Sequence, residues 1–208
     1  METATINEPF YATATLKTIY QRRAVRKYKN IPVDKKQIEQ VINAGRMAPS
    51  AMNTQSWRFY IFTNKDTIRL LSKEIKKVAA KDFLKSGVRQ IIKMAASFFH
   101  MGSGMDFFKT TDPVFYGAPV VIFITAPKDN EWAALDIGMC AQNMMLAATS
   151  LGLDSCPVGF GKYLEHTTSY HLLGAKKKEQ LLLSVILGYG NESPELHKRK
   201  KNNVFFVG

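Results

Sequence analysis

QRRAVRKYKNIPVDKKQIEQVINAGRMAPSAMNTQSWRFY, residues 21–60, sets three kinds of chemistry in order along the chain, and its reading decides the fold. It opens on Arg22, Arg23 and Arg26, passes through an amphipathic segment, and enters an uncharged loop at residues 47–56 before a strand-like aromatic run. Guanidiniums so closely spaced can form a fork cluster for phosphate, because planar donors pair bidentately with its oxygens where a lysine offers a point charge. The plainer reading of the same residues is a solvated basic face.

Asp34 is placed to cap a helix over residues 35–47, with Gln37 as its capping-box partner and Ile31 stapled to Ile38. Ile38, Val41, Ile42 and Ala44 recur at helical spacing, so one face is buried. Pro49 stops the helix, since the residue before a proline is driven out of the helical region. Ser50, Asn53, Thr54, Gln55 and Ser56 are ordinary turn residues ahead of a strand predicted at residues 57–62. Their amides and hydroxyls are equally what a heteroaromatic ring with alternating carbonyl and N–H groups needs for orientation.

RRAVRKY, the proline of IPVD and the AGRMAPSAMNTQSWRF block together resemble the FMN-dependent nitroreductase family. The resemblance continues through DIGMCAQNMMLAATSLGLDSCPVGF at residues 136–160 to a basic tail near Lys198, so it spans nearly the whole chain. It implies an α+β fold with a central, mainly antiparallel sheet flanked by helices, in a domain-swapped homodimer with FMN bound at the subunit interface. On this likeness Arg22 and Arg26 bind the FMN phosphate or ribityl oxygens, with Arg23 and Ala24 on the same rim. Pro49, Ser50, Met52 and Asn53 meet the ring from the second subunit, and the backbone at Pro157, Val158 and Gly159 approaches it, one main-chain N–H facing the reactive nitrogen. Lys198 and Lys200 complete the phosphate cage, with HKRKKN allowing a register one residue away.

The implied activity is transfer of electrons from NAD(P)H through FMN, by a ping-pong sequence, to nitroaromatics, quinones or similar electron-poor acceptors. No catalytic side chain is expected, because the flavin carries the redox step and the protein supplies binding, orientation and electrostatics. The sequence departs from the family pattern in places. Ala24 stands where many relatives have serine, Gln55–Ser56–Trp57 replaces a commoner glutamine–proline–tryptophan, and Val158 stands where some members have glutamate. Thr110 and Pro113 occupy the positions where some relatives carry an asparagine and a lysine toward the pyrimidine ring. A same-fold flavoenzyme of another reaction (dehydrogenase, dehalogenase or flavin-degrading) is the alternative within this fold.

The 208 residues suit one domain, 1–208, with 46% apolar residues to build its core. Lysine and arginine number 29 against 17 acidic residues, a net charge of +12 that attracts anions of any kind. A basic nucleic-acid-binding protein is therefore a second alternative, but the basic residues are scattered outside a few clusters and no nucleic-acid motif accompanies them. Cys140 and Cys156 lack metal-type spacing and read as structural thiols suited to a reducing cytoplasm, and His100, His166, His171 and His197 form no constellation. No Ser–His–Asp pattern, Walker loop or GxGxxG is present. Residues near Glu2, Glu8 and Pro9 lack the apolar run of a signal peptide, and the uncharged stretch 137–153 carries Gln142, Asn143, Thr149 and Ser150, which suits a buried helix rather than a membrane span.

Helices are predicted at residues 13–22, with Leu16, Ile19 and Tyr20 inward, and at 66–80, 83–99 and 164–173. A further helix at 131–151 is expected to bury Trp132, Leu135, Met139, Met144, Met145 and Leu146, with Gly152 as its cap. Residues 118–126, a continuous β-branched apolar run, predict a central strand covered on both faces, and further strands are predicted at 181–188 and 204–207. The aperiodic, aromatic residues 100–108 read either as a lid or as a packed surface loop or short helix.

Overall fold

Residues 118–126 do occupy the middle of the sheet. The structure, a computed structural model, describes residues 13–85, 112–200 and 202–207. Its regular elements are α1 (Ala14–Gln21), α2 (Lys35–Arg46), β1 (Arg58–Phe62), α3 (Lys65–Lys85), β2 (Val120–Pro127), α4 (Ala133–Ser150), β3 (Asp154–Val158) and β4 (Glu179–Gly188). The strands form one antiparallel four-stranded sheet in the order β1-β2-β4-β3. The rest of the helix expected at 83–99, the lid candidate at 100–108 and Thr110 lie outside the described residues.

The pleat of β2 explains the layering. Successive side chains of a strand point to opposite faces. Val120, Ile122, Ile124 and Ala126 enter the core shared with α2 and α4, while Val121 and Phe123 enter the core shared with α3 and residues 159–173. Phe123 meets Phe62 and Phe115 edge-on, at centroid separations of 5.6 and 5.7 Å. Helix α2 lies close on α4 because Gly45 removes a side chain: a Cβ there would stand 2.6 Å from Met144 Cγ. Asp34 caps α2 as predicted, accepting from Lys36 N at 2.7 Å. The end of α4 is a Schellman turn, with Gly152 at φ 74° and Leu153 N donating to Ala148 O at 2.9 Å.

Several expectations are corrected. Gln37 does not close a capping box; its amide bonds Leu151 O and Tyr189 Oη instead. The residue before the cap is Val33, which packs against the core, whereas Ile31 is exposed. Leu16, Ile19 and Tyr20 are 40, 44 and 47% exposed, and Trp132 and Leu135 also face outward. Residues 164–173 break into two 3-10 segments, Gly159–His166 and Thr168–Leu173, around extended Thr167, whose hydroxyl turns back to Leu164 O at 2.8 Å. Asp154–Val158, for which no strand was predicted, is an edge strand, where Pro157 sacrifices no interior ladder bond. Residues 204–207 form no strand and stand 66 to 98% exposed.

Candidate anion-binding site and its neighbours

The arginine-rich arm is held by its own backbone. Ala24 bridges Ser155 in parallel and Tyr28 bridges Gly190, so residues 24–28 run between β3 and the chain leaving β4. Val25 N donates to Ser155 O at 3.1 Å, Lys29 N to Tyr189 O at 2.8 Å, and Asn191 N to Lys27 O at 2.8 Å. Asp154 locks the same junction by accepting from Gly190 N at 2.9 Å, and a Cβ at Gly190 would lie 2.4 Å from its carboxylate. Arg26 N donates to the Glu192 carboxylate. The guanidiniums therefore hang from a fixed rail.

Arg22, Arg23, Ala24 and Arg26 form one wall of a cavity of about 250 Å³. The C-terminal tail forms the other, through Leu196, His197 and Arg199, with Glu195 the one carboxylate on the lining. Lys198 and Lys200, the cage residues expected from the likeness, do not line it. Burial lowers the pKa of Arg22, and the neighbouring Arg23 and Arg199 add to the effect. Four guanidiniums against one carboxylate, among the described residues, leave an excess of positive charge that favours an anion. Arg23 also spends donors on Tyr20 O at 2.6 Å and Arg22 O at 3.0 Å, which fixes its direction.

The end of β3 adjoins this wall. Cys156 is buried beside Arg22 and Arg26; burial pushes its thiol pKa up while the two arginines pull it down. Cys140, buried in α4, is pushed up to about 12 by burial. Of the residues expected near the flavin, Pro157 and Gly159 are exposed and Val158 is buried. A Cβ at Gly159 would meet nothing within 4 Å, so the backbone there faces open space. Val158 is fixed from behind, its carbonyl accepting from Ser184 Oγ at 2.8 Å.

Pro49, Ser50, Met52 and Asn53 lie elsewhere; none lines the arginine pocket, and Met52 is 89% exposed. Met52, Asn53 and Gln55 take φ of 52°, 55° and 44°, conformations costing on the order of 1–3 kcal/mol each for residues with a side chain. The turn is held nonetheless: Ser50 Oγ accepts from Gln55 N at 3.0 Å and Asp136 Oδ1 accepts from Ala51 N at 3.1 Å. Asp136 is buried in the first turn of α4, where the helix dipole favours its charge. The likeness did not single out Asp136, Arg199 or His197. A carboxylate in an otherwise uncharged helix was the available signal for the first, and the run HKRK for the others.

Among the described residues no group of His, Cys, Asp and Glu could hold a metal ion, and no helix is long and apolar enough to cross a membrane. A pocket lined by guanidiniums thus lies where the N-terminal arm meets the C-terminal tail of an α+β fold. The sequence model of the Nitroreductase family matches residues 19–189, and the chain belongs to that family. It is similar to 4-nitrobenzoate reductase of Pseudomonas putida, 27% identical over 84% of this chain and 85% of the relative. Nitroreductase NfnB of Mycolicibacterium smegmatis is 28% identical over 88% of this chain and 85% of its own length. The FMN-bound nitroreductase of Bacteroides fragilis superposes with a TM-score of 0.75 at 25% identity, covering 94% of this chain and all of that one.

Proposed function

We propose that this chain is an FMN-dependent oxidoreductase that accepts electrons from NAD(P)H and passes them to nitroaromatics, quinones or similar electron-poor small molecules. The observation that carries the reading is the cavity walled by Arg22, Arg23, Arg26 and Arg199, on an arm whose Ala24 pairs with Ser155 of β3. The donor set fits the anionic end of FMN, since guanidiniums donate only and pair bidentately with phosphate oxygens. At about 250 Å³ the cavity falls below the roughly 300–1,000 Å³ typical of sites enclosing a whole ligand of this class. The cavity would thus hold the phosphate end, and Pro157, Val158 and Gly159 are the residues that would meet the ring.

When bound, FMN supplies the two-electron exchange between nicotinamide and acceptor. The protein's own tasks are simpler. Arg22, Arg23 and Arg26, with Arg199 or its neighbours Lys198 and Lys200, bind the phosphate, and Ala24 leaves the rim open. Pro157, Val158 and Gly159 present backbone to the ring with no side chain in the way at Gly159. Pro49, Met52 and Asn53 are presented outward and Ser50 is half-buried beside them, as suits residues that reach a second copy of the chain; a homodimer is thus part of the proposal. Donor and acceptor use one open face in turn, a ping-pong order, and the buried free thiols suit a reducing cytoplasm.

The test is an absorbance spectrum of the purified protein with FMN, followed by anaerobic addition of NADH and NADPH separately. Flavin bands that bleach with either donor and return with a nitroaromatic or quinone are expected. A protein that binds no FMN would sink the proposal, and flavin that bleaches but is not reoxidised by these acceptors would point to another reaction on the same fold.

A further inference from the structure

Residues 50–55 form a turn that runs against the backbone preferences of its own sequence. Met52, Asn53 and Gln55 all carry side chains, yet all stand in the left-handed region, at φ 52°, 55° and 44°. Such residues persist only where the surroundings over-determine them, and they gather at ligand clamps and active sites. Burial of the side chains does not account for the shape, because Met52, Asn53 and Gln55 are exposed.

Hydrogen bonds account for it, from two sides. Within the turn, Asn53 N donates to Ser50 O at 2.9 Å, Gln55 N to Ser50 Oγ at 3.0 Å, and Gln55 Nε2 to Asn53 Oδ1 at 2.9 Å. From the body of the protein, the Oδ1 of Asp136 accepts from Ala51 N at 3.1 Å. Asp136 is 1% exposed, and Ala133 and Cys140, one turn away on either side of it in α4, are apolar and buried. Its second oxygen, Oδ2, is buried with no hydrogen-bond partner among the described residues. A buried carboxylate with an unmatched oxygen costs stability that an apolar residue at the same place would spare, so the acceptor at 136 calls for a reason other than packing.

From this geometry we propose that Asp136 is a positioning residue for the flavin ring: by clamping Ala51 to α4 it holds Pro49, Ser50, Met52 and Asn53 in the shape in which they meet the ring bound by a second copy of the chain. The inference rests on the FMN and homodimer reading above. Its consequence is local to the ring. Loss of the clamp changes both the affinity for FMN and the surroundings of its chromophore, whereas loss of a pocket arginine acts on the phosphate end.

The experiment is a fluorescence titration of the full-length apoprotein with FMN, with the visible spectrum of the bound flavin and sedimentation velocity, for the native protein, D136A, A51P and the double variant. D136A removes the acceptor and A51P the donor. Proline suits position 51, because it is tolerated at the first residue of a helical turn and Ser50 before it is already extended, at φ −139° and ψ 150°. Each single variant is expected to remain a dimer, to weaken FMN about ten-fold, the worth of one hydrogen bond to a charged group, and to shift the flavin spectrum toward that of free FMN. The double variant should be no weaker than the singles, since both remove the same bond. Unchanged FMN binding in A51P or in folded D136A overturns the role, as do additive losses, a loss that leaves the flavin spectrum native, or a loss that follows dissociation of the dimer. If D136A does not fold, A51P decides alone. Native protein that binds no FMN, or binds it as a monomer, overturns the reading on which the inference rests, and the positioning role with it.

Discussion

Single side chains decide what the cavity can hold. Arg22, Arg23 and Arg26 share a wall, and the opposite wall is completed by Arg199, whose own guanidinium donates to His197 O at 3.1 Å. R199A is therefore expected to weaken FMN by about 1.5–3 kcal/mol, the value of a hydrogen bond to a charged group. K198A and K200A, on exposed residues outside the lining, should each cost less than about 1 kcal/mol. Equilibrium binding of FMN to the three variants checks this, and equal losses in all three would contradict it. The arm arginines were legible in the sequence because they cluster within one short segment. Arg199 was not, because HKRKK has neither apolar spacing nor turn residues to say which cation points inward.

The elements place the open backbone of β3 through contacts that leave no spare room. Gly161 lies so close to β4 that an added Cβ would meet Ser184 Oγ at 2.2 Å and Ser184 Cβ at 2.9 Å. That hydroxyl holds the Val158 carbonyl, so a clash at position 161 is transmitted to the strand end proposed to face the flavin. G161A should destabilise the fold by about 1–3 kcal/mol, the usual cost of overpacking, and shift the visible flavin spectrum of the loaded protein. Denaturant midpoints together with the spectrum test it; a native-like spectrum at full stability would show that Ser184 can move freely. Edge strand β3 itself escaped the sequence reading because DSCPV is short and contains a proline, features that read as a turn until β4 pairs with it.

The molecule as a whole leaves apolar surface uncovered. Leu16, Ile19 and Tyr20 on α1, Met47 and Met52 beside the 50–55 turn, and Val204, Phe205, Phe206 and Val207 in the tail are all exposed. Exposed large apolar side chains of this kind suit a surface that meets a partner. A second copy is the proposed occupant, which would also bring Met52 and Asn53, absent from the lining of their own chain's pocket, to its flavin. Sedimentation velocity should give a dimer, and removal of residues 204–207 should shift the population toward monomer with loss of bound FMN. A monomer at micromolar concentration that retains FMN would refute this.

What the sequence determined by itself was local. Asp34 caps α2 because its side chain reaches an amide two residues on; residues 118–126 lie centrally because an unbroken β-branched run must be covered on both faces; and the resemblance carried by residues 21–60 and 136–160 placed the chain in its family. Only the tertiary structure decided which cation of the tail meets the arginine arm, that the arm pairs through Ala24 with Ser155 of β3, and which face of α1 stays open. The reason is physical. Caps and periodicities involve residues within a turn or two of one another, whereas the convergence of positions 22, 26 and 199 depends on how β3, β4 and the segments around them pack.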